Sequence, residues 1–311
     1  MIRLTWLQFR PQAVTAAAAL AAAAVILAVT HAHPTLHNPT DSFIHAAGGV
    51  VIYAAPGLIG IFWGAPLISR ELETGTFRLA WTQSISRTRW LAVKLGLVGL
   101  VSVVLVGLLS LMVTWWAAPI DRTYPNGSSF SYIIYDARGL TPVGYAAFAF
   151  ALGVTVGLLV RRTVSAIAIT LAVYVAVQLA FTQWVRPHLF APVRAVMALN
   201  PSDITMLGSD ASGNTTHVGA DVDVPGAWVY SSQVTNSAGN SNLGSRPQGC
   251  GAGTWNDCVA ALAKLHLRQV VTYQPASRFW AFQWAETGIY VLLALLLAGL
   301  CVWLVNRRLA R

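Results

Sequence analysis

Residues 141–185 form an apolar stretch in which Arg161 and Arg162 are the only charged side chains. A single straight helix of that length would be about 68 Å long, whereas the hydrocarbon core of a bilayer is about 30 Å thick. Placing one charged side chain at the centre of the bilayer costs about 2.5–3.5 kcal/mol. The stretch is therefore predicted to fold as two membrane-spanning helices, with the arginine pair in a tight cytoplasmic turn between them.

The rest of the chain is also rich in apolar residues. Hydrophobic residues make up 56% of the sequence and charged residues 10%, against about 25% charged in soluble domains. The mean hydropathy is +0.59. Four further apolar runs are long enough to cross a bilayer, namely residues 12–30, 47–68, 91–116 and 285–305. We therefore predict an all-α integral membrane protein with six transmembrane helices, in which Gly60-x-x-x-Gly64 and Gly153-x-x-x-Gly157 let helices approach closely.

Basic residues are distributed unevenly between the segments that connect the apolar runs. With both termini in the cytoplasm, the cytoplasmic segments are 1–11, 69–94, 161–163 and 306–311, and the outer segments are 31–46, 117–140 and 186–284. The short cytoplasmic segments hold 12 of the 20 Lys and Arg residues. This bias is typical of multi-pass plasma-membrane proteins, so the net charge of +9 indicates contact with membrane lipid and not with nucleic acid.

A charged island, LISRELETGTFRLAWTQSISRTRWLAVK, lies between the second and third apolar runs. Its charged residues are Arg70, Glu71, Glu73, Arg78, Arg87, Arg89 and Lys94. Gly75 is predicted to end a helix there, because glycine accepts the left-handed conformation at a helix C-terminus. After this break, Phe77, Trp81 and Ser84 share one helical face, as in a short amphipathic helix at the membrane surface. The pattern equally fits an ordinary charged loop that only sets the topology.

The same island resembles the first cytoplasmic loop of permease subunits of type-2 ABC exporters, especially the actinobacterial ones. The residues that carry the resemblance are Arg70, Glu71, Glu73, Gly75 and Thr76, followed by Ser86, Arg87, Thr88 and Arg89. A second stretch, Thr272–Glu286, resembles the lead-in to the last span of that group. The resemblance favours residues 12–30 as a retained first span, although a cleaved signal peptide is the competing interpretation.

The resemblance implies a partner chain that supplies the energy. Two permease copies, or two paralogues, would join two cytoplasmic ABC ATPase subunits. The sequence has no G-x-x-x-x-G-K-[ST] phosphate loop, so ATP and Mg²⁺ are expected on the ATPase, with no cofactor, metal site or catalytic residue here. The residues expected to couple to the ATPase, in the loop 69–90 and the arginine turn, are Arg70, Glu71, Glu73, Gly75, Thr76, Arg78, Arg161 and Arg162. Glu71 and Glu73 are expected to contact the ATPase.

The implied activity is export of a hydrophobic or amphipathic compound, such as a drug or a lipid-like molecule. Thr170, Tyr174 and Gln178 lie at i, i+4 and i+8 and share one face of the fifth span. That face would line the translocation pathway, or it would only form hydrogen bonds between helices. A different class of function, a membrane sensor or immunity subunit whose outer loop binds a ligand, is also open. A membrane enzyme would need a metal held by the outer histidines around His31–His45.

Residues 186–284 form the largest polar segment and are predicted to lie outside the cell. Cys250 and Cys258 lie in it, and a disulfide between them is expected on this oxidising side, with two free thiols as the alternative. The opening, residues 186–202, is interpreted as an interfacial or partly re-entrant helix. Thr254–Arg268 is predicted to be a helix that begins with a capping box, and AWVYSSQVT is a strand-like piece. The last span, 285–305, and a cytoplasmic tail, 306–311, follow.

Overall fold

A computed structural model describes residues 2–31, 53–75, 86–123, 130, 132–209, 216–222, 224–244, 247–248, 250 and 254–308. The chain divides into two compact units. The helical unit contains Met1–Thr123, Tyr132–Leu189 and Trp280–Arg311, and the strand-rich unit contains Tyr124–Ser131 and Phe190–Phe279. The second unit contains most of the polar segment 186–284 together with residues 124–131.

The helical unit consists of long apolar helices. Its described helices are α1 (Ile2–His31), α2 (Ala65–Thr74), α3 (Arg87–Thr123), α4 (Tyr132–Ala137), α5 (Thr141–Val160), α6 (Thr163–Ala180) and α8 (Phe279–Arg308), which begins at the last residue of the strand-rich unit. Helical residues 53–59 and a π-helical segment, Gly60–Gly64, lead directly into α2. A second π-helical segment, Phe181–Val185, extends α6.

Four helices in the described part of the chain are long and apolar enough to cross a membrane. They are Thr88–Ala118, Thr141–Val160, Thr163–His188 and Ala276–Arg307. The expected break of 141–185 at the arginine pair is confirmed, because α5 ends at Val160 and α6 begins at Thr163. The expected lead-in 1–11 and first span 12–30 form one continuous helix, α1, with Pro11 inside it. The chain is mostly helical and membrane-like, and the count of six spans stays a prediction.

The two predicted small-residue faces pack directly against each other. A Cβ atom added to Gly153 would lie 2.2 Å from the carbonyl oxygen of Gly60 and 2.7 Å from the backbone nitrogen of Ala65. A Cβ atom on Gly157 would lie 2.5 Å from the carbonyl oxygen of Ala65. Real Cβ atoms do not approach backbone so closely, and only glycine therefore fits at these points of the contact between α5 and the Gly60–Gly64 segment.

The all-α expectation is wrong for the second unit. Its described strands are β1 (Val193–Ala198), β2 (Ile204–Ser209), β3 (Thr216–Ala220), β4 (Trp228–Thr235) and β5 (Arg268–Gln274). They form an antiparallel sheet in the order β1-β5-β4 and a two-stranded sheet, β2-β3. The helix expected within residues 186–202 is a strand from Val193, where exposed and half-buried side chains alternate as they do on a sheet with one solvated face.

One helix, α7 (Trp255–Ala263), belongs to the strand-rich unit. The predicted capping box is confirmed, with the Thr254 and Asp257 side chains each bonded to the other's backbone amide. The helix is shorter than expected, because the chain turns at residues 264–266 and enters β5. The Cys250–Cys258 disulfide is present. Both cysteines pack in a small core that includes Ile204, Leu262 and Leu267.

Candidate functional site

The C-terminus of α2 has the geometry that the sequence predicts. The helix ends at Thr74, and Gly75 follows with φ of +73°, in the left-handed conformation. Glycine is the residue that adopts this conformation without steric cost. Two other predicted coupling residues, Thr76 and Arg78, lie outside the described part of the chain, which resumes at Ser86.

Glu73 connects the end of α2 to the start of α6. One oxygen of its carboxylate accepts hydrogen bonds from the Thr163 backbone amide at 3.1 Å and from the Thr163 hydroxyl at 2.8 Å. Ser69 Oγ, one turn earlier on α2, donates to the same Thr163 hydroxyl. The first amides of a helix lack partners within the helix, and an anion is favoured at that end. Hydrogen bonds from the Thr163 side chain and amide lower the pKa of Glu73.

Glu71 points to a different helix. Its carboxylate forms a partly buried ion pair with Lys94 on α3. The Lys94 ammonium also lies 4.8 Å from the centre of the Trp90 ring, in a cation–π contact. Glu71 and Glu73, which are expected to contact an ATPase, are thus both occupied by contacts within the chain. Arg70 is exposed.

The arginine turn lies beside this junction. Arg161 directly follows α5 and has the left-handed conformation with φ of 58°, and its amide donates to the carbonyl of Gly157. Arg162 is extended and precedes α6. Both side chains are exposed. The structure therefore brings Glu73, Gly75 and the arginine turn to one end of the helical unit, with Thr163 as the point of contact.

The polar side chains of α6 face inward. Thr170, Tyr174 and Gln178 are exposed by only 1%, 6% and 4%. Gln178 Nε2 donates to the Tyr174 hydroxyl at 3.2 Å, and the Tyr290 hydroxyl of α8 donates to Gln178 Oε1. These contacts match the interpretation as hydrogen bonding between helices. The interpretation as a pathway face stays a prediction.

A buried charge cluster, which sequence reasoning missed, joins α4, α5, α8 and the end of the helical stretch Thr163–His188. Arg186, at the end of the helical stretch Thr163–His188, contacts both Asp136 of α4 and Glu286 of α8. Its Nε donates to Glu286 Oε2 at 3.0 Å and its Nη2 to Glu286 Oε1 at 2.8 Å. The guanidinium also lies 4.4 Å from the centre of the Tyr135 ring. Glu286 is fully buried.

The cluster holds two carboxyl groups for one guanidinium. The Tyr145 hydroxyl contacts oxygens of both Asp136 and Glu286 but carries a single hydrogen, so the second contact needs a hydrogen on a carboxyl group. Burial raises the pKa of Asp136 to about 6, against the opposing effect of Arg186. Within the described residues, Arg186 Nη1 has no hydrogen-bond partner. The arrangement can hold one proton near neutral pH.

The only sequence signal for this cluster came from the ends of the apolar runs. Arg186 directly follows one run, and Glu286 lies at the start of another, but the two are 100 positions apart. A charge inside or beside a span is expected to find a partner. Nothing in the sequence identified which of the polar residues would be that partner.

Comparison with known proteins supports an ABC-2 type permease. The family described as ABC-2 membrane transporter related matches residues 35–186, which are 152 of the 311 residues. The match includes Glu71, Glu73, Gly75 and the arginine turn, and it ends at Arg186. Proteins of this family are membrane components that generally work with an ATPase subunit and are not themselves catalytic. No curated protein and no solved structure matches the chain.

Proposed function

We propose that this chain is the membrane-spanning permease subunit of an ATP-driven exporter, powered by a separate cytoplasmic ABC ATPase. The observation that carries the proposal is the link from Glu73 to Thr163, which joins the predicted coupling loop to the arginine turn. If the coupling loop and the arginine turn both respond to one ATPase, they must be joined to each other. The contact between Glu73 and Thr163 joins them.

The proposed topology follows the sequence. Six helices cross the plasma membrane, both termini are cytoplasmic, and the strand-rich unit lies outside the cell between spans five and six. Two copies, or a pair of paralogues of the actinobacterial kind, form the pathway. The cargo is a hydrophobic or amphipathic compound that moves outward. The excess of basic residues in the short cytoplasmic segments supports this orientation.

Force from the ATPase would pass along α6. Closure of the ATPase pair on ATP pushes on the exposed Arg70 and on the arginine turn, Arg161 and Arg162. Glu73 transmits that displacement to the N-terminus of α6 through Thr163. The helical stretch Thr163–His188 then carries it to the buried charge cluster at Arg186. In this mechanism Glu71 and Glu73 act by holding segments of the permease together, and the polar face at Thr170, Tyr174 and Gln178 lines the path.

The test is co-purification with cytoplasmic ABC ATPases of the same organism, followed by ATPase and transport assays in lipid vesicles. Glu73→Gln and Gly75→Val should lower compound-stimulated ATP hydrolysis and transport while the chain stays folded. Asp257→Asn is a matched control, because Asp257 also caps a helix N-terminus but lies in the strand-rich unit. Unchanged transport in both Glu73→Gln and Gly75→Val would contradict the coupling mechanism.

A membrane sensor or immunity subunit is the second candidate. It is favoured by the strand-rich unit, which has its own core and disulfide and so has the construction of a ligand-binding module. A chain that purifies without any ATPase and moves no compound in vesicles, yet binds a ligand through this unit, would favour the sensor.

A further inference from the structure

The strand-rich unit contains a cavity of about 560 Å³ beside the edge strand β1. Pockets for small molecules usually have volumes of about 300–1,000 Å³. The floor consists of the buried side chains of Ile204, Leu262 and Leu267, which belong to the core of the unit. The cavity therefore offers a ligand an apolar surface that the fold already holds in place.

Basic residues lie on one side of this cavity. His266 and Arg268 are among its lining residues, and none of the lining residues that the structure describes is acidic. Arg268 is exposed, and its guanidinium forms no ion pair within the described parts of the chain. Lys264, which directly follows α7, is one position beyond the lining residue Ala263. The cavity thus combines an apolar floor with a basic rim formed by His266 and Arg268.

His266 has a left-handed backbone conformation in the turn that follows α7. Its φ is +46°, in the left-handed region, where glycine is the usual residue just after a helix. Basic residues near a helix C-terminus are favoured by the helix dipole, which explains Lys264 but not a strained histidine. Strained residues persist where the surroundings or a function require the side chain. His266 is one of the residues that line the cavity.

We propose that this cavity binds a small amphipathic molecule with one carboxylate, with its apolar part on the Ile204–Leu262–Leu267 floor and its anionic group beside His266 and Arg268. The proposal goes beyond transport, because the site lies wholly within the strand-rich unit and needs no ATPase. It names the chemical class of ligand that this unit recognises.

The test uses the full chain in nanodiscs of zwitterionic phosphatidylcholine. Binding of radiolabelled decanoate is measured by equilibrium dialysis, with empty nanodiscs subtracted, and is compared with binding of neutral decanol. Decanoate should bind saturably, and decanol about tenfold more weakly, because it lacks the charge-assisted contact. Equal binding of the two probes, or no saturable decanoate binding, would overturn the proposal.

Paired variants separate binding from folding. Arg268→Gln should weaken decanoate binding about tenfold, whereas Arg194→Gln, an exposed arginine on β1 outside the lining, should not. Ala263→Trp should fill the cavity and abolish binding, while Ala260→Trp, one turn earlier and also exposed, should leave it unchanged.

His266→Gly is the most discriminating variant. Glycine relieves the left-handed backbone, so the thermal unfolding temperature should stay the same or rise. Decanoate binding should nevertheless fall by about tenfold if the imidazole contacts the anion. Full binding by both His266→Gly and Arg268→Gln would refute the assignment of the basic rim.

Discussion

Replacing Arg186 with glutamine should destabilise the helical unit more than any other single change in its buried charge cluster. The Arg186 side chain is exposed by 2%, and the carboxylates of Asp136 and Glu286 by 2% and 0%. Without the guanidinium, the two carboxyl groups remain buried beside each other and have lost the cation that pairs with them. The expected result is a large loss of stability, partly offset because the carboxyl groups take up protons.

The magnitude follows from the charge balance. Removing one partner of a buried ion pair costs about 3–5 kcal/mol. Asp136→Asn has the opposite effect on the balance, because it leaves one guanidinium with one carboxylate. The difference between the ordinary Asp pKa of 3.8 and the value of about 6 for Asp136 corresponds to about 3 kcal/mol that disfavours its ionised form. Asp136→Asn should therefore change stability by only about 1 kcal/mol at neutral pH.

The raised pKa of Asp136 also sets the sign of a pH dependence. The folded state binds the proton more tightly than the unfolded state, so the contribution of Asp136 is most favourable below about pH 4. This contribution falls as the pH rises through about 6. The unfolding temperature of the wild type should decline over that interval, and Asp136→Asn should flatten the decline.

The assay is thermal unfolding of the purified chain in detergent between pH 4 and 8. Arg186→Gln should lower the midpoint by on the order of 10 °C at pH 7, and Asp136→Asn by much less. The double variant Arg186→Gln/Asp136→Asn should be more stable than Arg186→Gln alone, since only one buried carboxylate is then left unpaired. Equal losses in the two single variants, or a double variant that is less stable than either, would refute this account of the cluster.

Three further predictions concern other contacts. Glu73→Gln should destabilise the start of α6. Because the Glu73 pKa is lowered, the wild-type contact with Thr163 should persist above about pH 4.5 and weaken below it. Hydrogen exchange of the Thr163 amide measures the effect of the mutation and the effect of pH. Gly153→Ala should prevent normal folding because its Cβ meets backbone at 2.2 Å, whereas Gly96→Ala, with open space around it, should be neutral or stabilising by thermal melting. Cys258→Ser should cost the strand-rich unit about 2–3 kcal/mol, measurable by denaturation with and without reductant.

The helical unit could be predicted in outline from local patterns. The length of the apolar stretch 141–185, and the cost of two adjacent charges inside a bilayer, predicted a turn at Arg161 and Arg162. The structure has a turn at that point. Glycine spacing identified both faces of the contact at Gly60 and Gly153. These features could be predicted because each depends on residues close together in the sequence, where helix geometry fixes which side chains are neighbours.

Features that depend on residues far apart in the sequence could not be predicted from it. The partner of Glu286 is Arg186, and pairing the two needs the packing of α8 against the end of α6, which no local pattern encodes. The strands of the second unit were missed for a related reason. Residues 193–198 are short and apolar, and their choice of strand over helix is decided by pairing with β5, about 75 residues later.

The glycine contact also bears on how the helical unit can move. Between α5 and the segment Gly60–Gly64, backbone meets backbone, with no flexible side chains to rearrange as one helix slides past the other. Packed surfaces of this kind have few intermediate positions. The two helices should therefore travel as a single rigid body. Any hinge then has to lie at the borders of that body, such as Gly75 after α2 or the turn at Arg161, which both hold left-handed backbone.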